Sequence, residues 1–171
     1  MPDSRGRLAS LPTGAPDSDD DPLAMFTTLA RTGLFLEALQ RECLQPHGLS
    51  FNEYSVLRLL QRAPERALSP KALSREIVCT SGAMTKLLDR LQRARRIRRR
   101  PDPDDRRGVL VEITRIGDTV AEAAAASYRE GRERILERLR PRDVASIGRR
   151  LATLLEGFEA DYRNADANEA D

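Results

Sequence analysis

The sequence predicts a mainly α-helical chain carrying one small β-hairpin, and three observations support that prediction. Apolar residues recur at helical spacing through most of residues 22–162. Two short helices open with clear start signals, Ser50 with Glu53 and Ser69 with Pro70. One segment alone, residues 96–114, combines strand alternation with turn chemistry.

Residues 1–21 are rich in Pro, Gly, Ser and Asp and are expected to be disordered. From Pro22 to about Leu44, Leu23, Phe26, Leu29, Leu36, Leu39 and Cys43 can share one side of a helix, which Pro46 and Gly48 end. Ser50 and Glu53 form a capping box for the next helix, and Leu49 and Tyr54 can staple it. Val56, Leu57 and Leu60 then face the core. Ser69 caps a short helix ending near Val78, with Pro70 at its first position and Leu68 positioned to staple Leu73. Thr80 or Ser81 starts another at once. In it Met84, Leu87, Leu88 and Leu91 form a buried stripe at i, i+3, i+4 and i+7.

A short helix, a tight turn and a second helix make a helix-turn-helix. Residues 96–100 read as a strand, 101–108 (PDPDDRRG) as a turn, and 109–114 (VLVEIT) as a second strand with Val109, Val111 and Ile113 on its buried face. The resulting hairpin is a wing, so the fold class is a winged helix-turn-helix. Thr114 can cap a long helix to about Leu139, which Pro141 interrupts. A last helix carries Val144, Ile147, Leu151, Leu154, Leu155, Phe158 and Tyr162. The folded domain is placed at 22–162. Its DNA-binding lobe spans about 50–117, its dimerisation helices about 22–45 and 118–162, and a disordered tail 163–171. The terminal helices hold more apolar surface than a small lobe needs, which points to a homodimer.

Composition narrows the function. The 171 residues suit one domain, and the net charge of +2 says little by itself. Its distribution says more, because residues 90–107 carry nine arginines against three aspartates. Acidic residues surround that block at both ends: Asp17, Asp19, Asp20 and Asp21, then Asp161, Asp166, Glu169 and Asp171. No nucleophile–base pair or carboxylate constellation marks an enzyme. One histidine, His47, and two distant cysteines, Cys43 and Cys79, give no metal motif or disulfide framework, and no cofactor is expected. Without a membrane-spanning run or a signal segment, the expected compartment is the cytoplasm.

The second helix of the motif, Ser81–Arg93, has the right size for the major groove. Its first amides and the hydroxyls of Ser81 and Thr85 can hold a phosphate, and Lys86 and Arg90 can reach phosphates or guanine edges. At the wing tip Arg106 and Arg107 suit a narrow minor groove. Asp105 is expected to hold the wing's shape by accepting hydrogen bonds from Arg107 or from turn amides. Arg98, Arg99 and Arg100 alternate in direction, so only some can face DNA.

The stretches LSFNEYSVLRLL, LSPKALSREIVCTSGAMTKLLDRLQRA and RPDPDDRRGVLVEITRIG resemble the MarR family of bacterial regulators, over roughly residues 22–162 and most closely over 68–117. The resemblance implies a repressor that binds a palindromic double-stranded operator as a homodimer. It places groove-reading residues at Ser81, Thr85, Lys86 and Arg90 and the wing Asp and Arg at Asp105 and Arg107. It also implies release by a small aromatic or phenolic ligand. The alternative is a winged-helix protein-interaction module with weakened DNA binding.

Two departures stand out. The family usually has Gly-Leu where this chain has Arg95-Arg96. An arginine forced into the left-handed conformation at that helix exit costs about 1 kcal/mol, and the lost leucine removes an apolar anchor beneath the wing. Oxidant-sensing members keep their reactive cysteine near the start of the first helix. Cys43 is near its end and Cys79 at the helix–helix turn, so both are read as apolar residues.

Overall fold

The computed structural model describes residues 22–77, 81–105 and 107–168, with the side chains of Ser81 and of 162–168 excepted. Helix α1 (Pro22–Leu44) runs into a 3-10 turn (Gln45–His47) that Gly48 closes at φ 63°. Glycine adopts that angle without a Cβ penalty. The Gly48 amide donates to the Gln45 carbonyl (2.8 Å) and the Leu49 amide to the Leu44 carbonyl (3.2 Å). Only the end of α1 is buried in this chain. Cys43 and Leu44 join the core and Leu39 packs partly against it, whereas Leu23, Phe26 and Leu36 of the expected stripe are exposed.

Helix α2 (Phe51–Arg62) begins at the capping box. The Glu53 amide donates to Ser50 Oγ (3.3 Å) and the Ser50 amide to Glu53 Oε2 (2.8 Å). Val56, Leu57 and Leu60 are fully buried. The chain then reverses through Pro64–Arg66, where Glu65 (φ 52°) and Arg66 (φ 57°) are both left-handed without being glycine. That conformation costs roughly 1–2 kcal/mol per residue. Glu65 is held by Arg100 and Arg66 by Asp118.

Strand β1 (Ala67–Leu68) leads to helix α3 (Pro70–Glu76), capped by Ser69. Helix α4 (Ser81–Arg93) and strands β2 (Ile97–Pro101) and β3 (Val109–Ile113) follow. The expected two-stranded hairpin is in fact a three-stranded antiparallel sheet, ordered β1-β3-β2, with Leu68 and Arg99 both opposite Val111. Two residues are too few for alternation to register in a sequence. They pair because the outer edge of β3 has backbone groups to satisfy. Val111 and Ile113 are buried as expected, but Val109 is exposed because it lies at the wing's distal end, opposite Pro101. Helix α3 stops at Glu76, with Ile77 already extended at φ −120°.

Thr114 caps helix α5 (Arg115–Leu136), accepting from the Gly117 amide (3.1 Å). Pro141 begins the last helix, α6 (Pro141–Asn168), at the first position, which its fixed φ suits. Helix α6 continues to Asn168, past residue 162, the expected end of the folded domain. Ala there favours a helix, and Asp and Asn oppose it too weakly to stop it. The expectations for residues 1–21, Cys79 and Thr80 fall outside the described residues. The chain divides into two units, residues 1–129 and 130–171. The first holds the core, where Leu44, Leu57, Leu60, Leu73, Leu88, Leu91, Ile97 and Val111 are essentially solvent-free.

Candidate nucleic-acid interface

Helix α4 is fixed by its apolar stripe: Met84, Leu87, Leu88 and Leu91 are each at most 3 % exposed. The opposite face presents Gly82, Ala83, Thr85, Lys86, Arg90 and Arg93 to solvent. Thr85 and Lys86 are thus exposed in the first half of the helix, and the Ser81 side chain is not described. Among the described residues Lys86 makes no hydrogen bond or ion pair, so its ammonium is available to an external anion.

Arg90 differs. Its Nε donates to Glu53 Oε1 at 2.9 Å. Burial alone would raise the Glu53 pKa, but the Ser50 amide, the Arg90 guanidinium and the Ser50 hydroxyl outweigh it and hold the carboxyl below its ordinary value. Arg90 is half exposed, so contact with a duplex would use its terminal nitrogens.

The wing is shaped by short polar contacts. The Asp102 amide donates to the Gly108 carbonyl (3.1 Å) and the Gly108 amide to the Asp105 carbonyl (2.8 Å). Asp105 Oδ1 accepts from the Arg107 amide at 2.9 Å, and Asp102 Oδ1 from the Asp104 amide at 3.0 Å. Asp105 therefore holds the backbone of Arg107 rather than its guanidinium. A Cβ on Gly108 would lie 2.9 Å from that of Asp102, so the tight turn requires glycine. The Arg107 side chain is exposed and unpaired among the described residues. Arg106 is outside them.

The arginine block is less basic toward solvent than its composition implies. Arg98 pairs with Glu112 (2.6 Å), and Arg100 with Glu65 (2.8 Å) and Glu112 (3.1 Å). Arg98, joined by Arg100, holds the Glu112 carboxyl below its ordinary range. Arg99 reaches Asp89 Oδ1 and Gln92 Oε1, each at 2.7 Å. It thereby ties β2 to the outer face of α4. Carboxylates distant in sequence are brought to the block by folding. Among the described residues of α3, α4, the α4 exit and the wing, the cations without a partner are Lys71, Arg75, Lys86, Arg95 and Arg107. Sequence reasoning missed the Arg99 clamp. Its available signal was the i, i+3 pair of acceptors Asp89 and Gln92.

The Arg95-Arg96 departure is accommodated rather than disruptive. Arg95 is left-handed at φ 56°. The Arg95 amide donates to the Gln92 carbonyl and the Arg96 amide to the Leu91 carbonyl, both at 2.9 Å. These are the two bonds of a Schellman motif. In place of an apolar anchor, the Arg96 guanidinium donates to the carbonyls of Gly48 (2.6 Å) and His47 (2.9 Å). Beside that junction an open cavity of about 450 Å³ is lined by residues of α1 and the start of α2, among them Arg41, Leu49, Ser50 and Phe51.

A sequence model of the MarR family matches residues 47–108. The chain is 30 % identical over 123 residues to the transcriptional regulator PecS of Dickeya dadantii, covering 71 % of this chain and 74 % of PecS. It is 32 % identical over 122 residues to the transcriptional repressor Rv2887 of Mycobacterium tuberculosis, covering 71 % and 85 %. Among solved structures it is similar to a mutant MarR from Escherichia coli complexed with operator DNA, at a TM-score of 0.67 and 26 % identity, covering 79 % and 99 %. The fold also matches AbsC of Streptomyces coelicolor at a TM-score of 0.74 and 23 % identity, covering 84 % and 97 %.

Proposed function

Because the chain belongs to the MarR family of DNA-binding transcriptional regulators, we propose that it acts in the cytoplasm as a homodimeric repressor, gripping an imperfect palindrome in double-stranded DNA. The observation that carries this reading is the pairing of cations described above. Six arginines of the block, Arg90, Arg93, Arg96, Arg98, Arg99 and Arg100, are held by internal partners, while Lys86 on α4 and Arg107 on the wing point no charge at any described partner. These two suit different tasks. Lys86, with Ser81 and Thr85, is assigned to the major groove and its flanking phosphates, and Arg90 adds its terminal nitrogens. Arg107, with Arg106, is assigned to the minor groove beside the wing, oriented by Asp105.

The exposed apolar side chains of α1 and α6 support the dimer. Phe26, Phe35 and Leu36 on the first, and Ile147, Leu151, Leu155 and Phe158 on the second, are each at least 38 % exposed in the single chain. Repression follows the description of Rv2887. The cavity at the α1–α2 junction has a volume suited to a small aromatic or phenolic ligand, whose binding would weaken the grip on DNA. The alternative of an interaction module with weakened DNA binding rested on Arg95-Arg96, and the regular helix exit there favours the DNA-binding reading.

Footprinting on the DNA upstream of the chain's own gene tests the reading. Two protected half-sites about one helical turn apart, roughly 34–36 Å, are expected. Protection of a single asymmetric half-site, or none, would overturn it.

A further inference from the structure

The geometry points to Arg96 as a positioning residue that locks the DNA-reading elements to the first helix and so sets the half-site spacing the protein accepts. The inference rests on the two-half-site reading above.

Arg96 is a three-way junction. Its amide closes the exit of α4 on the Leu91 carbonyl (2.9 Å), and the chain enters β2 at the next residue. Its carbonyl accepts from the Thr114 amide at 3.0 Å, where the wing returns to α5. A Cβ on Gly117 would lie 2.0 Å from that carbonyl oxygen, so α5 approaches this point as closely as glycine permits. Its guanidinium supplies the third arm, to the carbonyls of His47 and Gly48. Those carbonyls end the 3-10 turn that extends α1, where a helix leaves acceptors unsatisfied and favours a cation. Arg96 thus caps α1 from the root of the wing. A leucine here would pack but could not donate. Arg90 makes a second grip on the same junction, through the Glu53 that completes the α2 capping box.

In a two-fold dimer held by α1, the position of α1 relative to α4 fixes the distance between the two reading helices. Base-edge contacts need that distance to match the operator, whereas phosphate contacts tolerate small shifts. Loss of the cap lets α1 shift against α4, so specific binding weakens and the preference for one spacing flattens.

The test compares the parent, Arg96→Leu and Arg96→Lys on the footprinted operator and on versions with one or two base pairs inserted between the half-sites. Circular dichroism first establishes that each protein is folded. Arg96→Leu is expected to bind the native operator about tenfold less tightly and to lose at least half of the parent's penalty for altered spacing. Its salt slope should match the parent's, because Arg96 is assigned no phosphate. Arg96→Lys keeps a donor and should lie between the two. It carries the test alone if the leucine variant does not fold, and a lysine variant whose spacing penalty equals the parent's then overturns the assignment. A folded Arg96→Leu protein that keeps the parent's spacing profile, or whose salt slope falls by about 1 per subunit, also overturns it. A parent indifferent to spacing would instead overturn the two-half-site reading, and this inference with it.

Discussion

At the exit of α4, Arg95 occupies a left-handed position that glycine fills without a Cβ clash. The conformation costs an L residue about 1–2 kcal/mol, and glycine's greater unfolded freedom gives part of that back. Arg95→Gly is therefore expected to stabilise the fold by about 0.5–1 kcal/mol, read as a higher urea midpoint at an unchanged slope. No rise in the midpoint would mean the position is unstrained. Glu53 gives a pH dependence at the same scale. Folding lowers its pKa, so its contribution is complete above the ordinary Glu pKa and is lost as pH falls through the folded value. Glu53→Gln should destabilise the protein by about 1–2 kcal/mol at neutral pH, and the gap from the parent should close on acidification. A gap that is constant with pH would show that the charge on Glu53 contributes nothing.

The wing and α4 are expected to respond differently to mutation, because they are assigned different parts of the duplex. Arg107→Ala should weaken binding to operator and scrambled DNA by similar factors and lower the salt slope by about 1 per subunit. Lys86→Ala should cost more on the operator, by about 1–3 kcal/mol if the ammonium reaches a base edge. Asp105→Ala separates two pictures of the turn. Removing a negative charge predicts tighter binding by simple electrostatics. Losing the acceptor of the Arg107 amide predicts weaker binding, because the turn that aims Arg107 loosens. Weaker binding is expected, and titration of all three variants against both duplexes at several salt concentrations measures it. Tighter binding by the Asp105 variant would remove the orienting role.

For the whole molecule, the exposed apolar side chains of α1 and α6 predict a dimer in solution. Sedimentation should give about twice the 19.1 kDa of one chain. Leu155→Asp together with Leu151→Asp should shift the equilibrium toward monomer and weaken operator binding by removing the second half-site contact. A parent sedimenting at the single-chain mass would overturn the homodimer.

Local signals were enough for the element types and the main core. The α4 stripe, the two serine caps and the wing turn depend on residues a few positions apart, and each is found in the structure where the sequence put it. The candidate DNA-facing residues were legible as a pattern of donors on one helix face and one turn. Which of those donors are available to an external partner was not legible, because it depends on carboxylates distant in sequence. Glu53 takes Arg90 and Glu65 takes Arg100 from 37 and 35 positions away, whereas Glu112 and Asp89 lie 14 and 10 positions from their partners Arg98 and Arg99. The third strand was hidden for the same reason: two residues carry no period, and they pair only because folding brings β3 beside them. Arg95-Arg96 shows the division within one dipeptide. The left-handed exit could be anticipated from the glycine that the family usually has at this position, whereas the carbonyls that receive Arg96 lie 48 and 49 positions away along the chain, and tertiary packing alone brings them within reach.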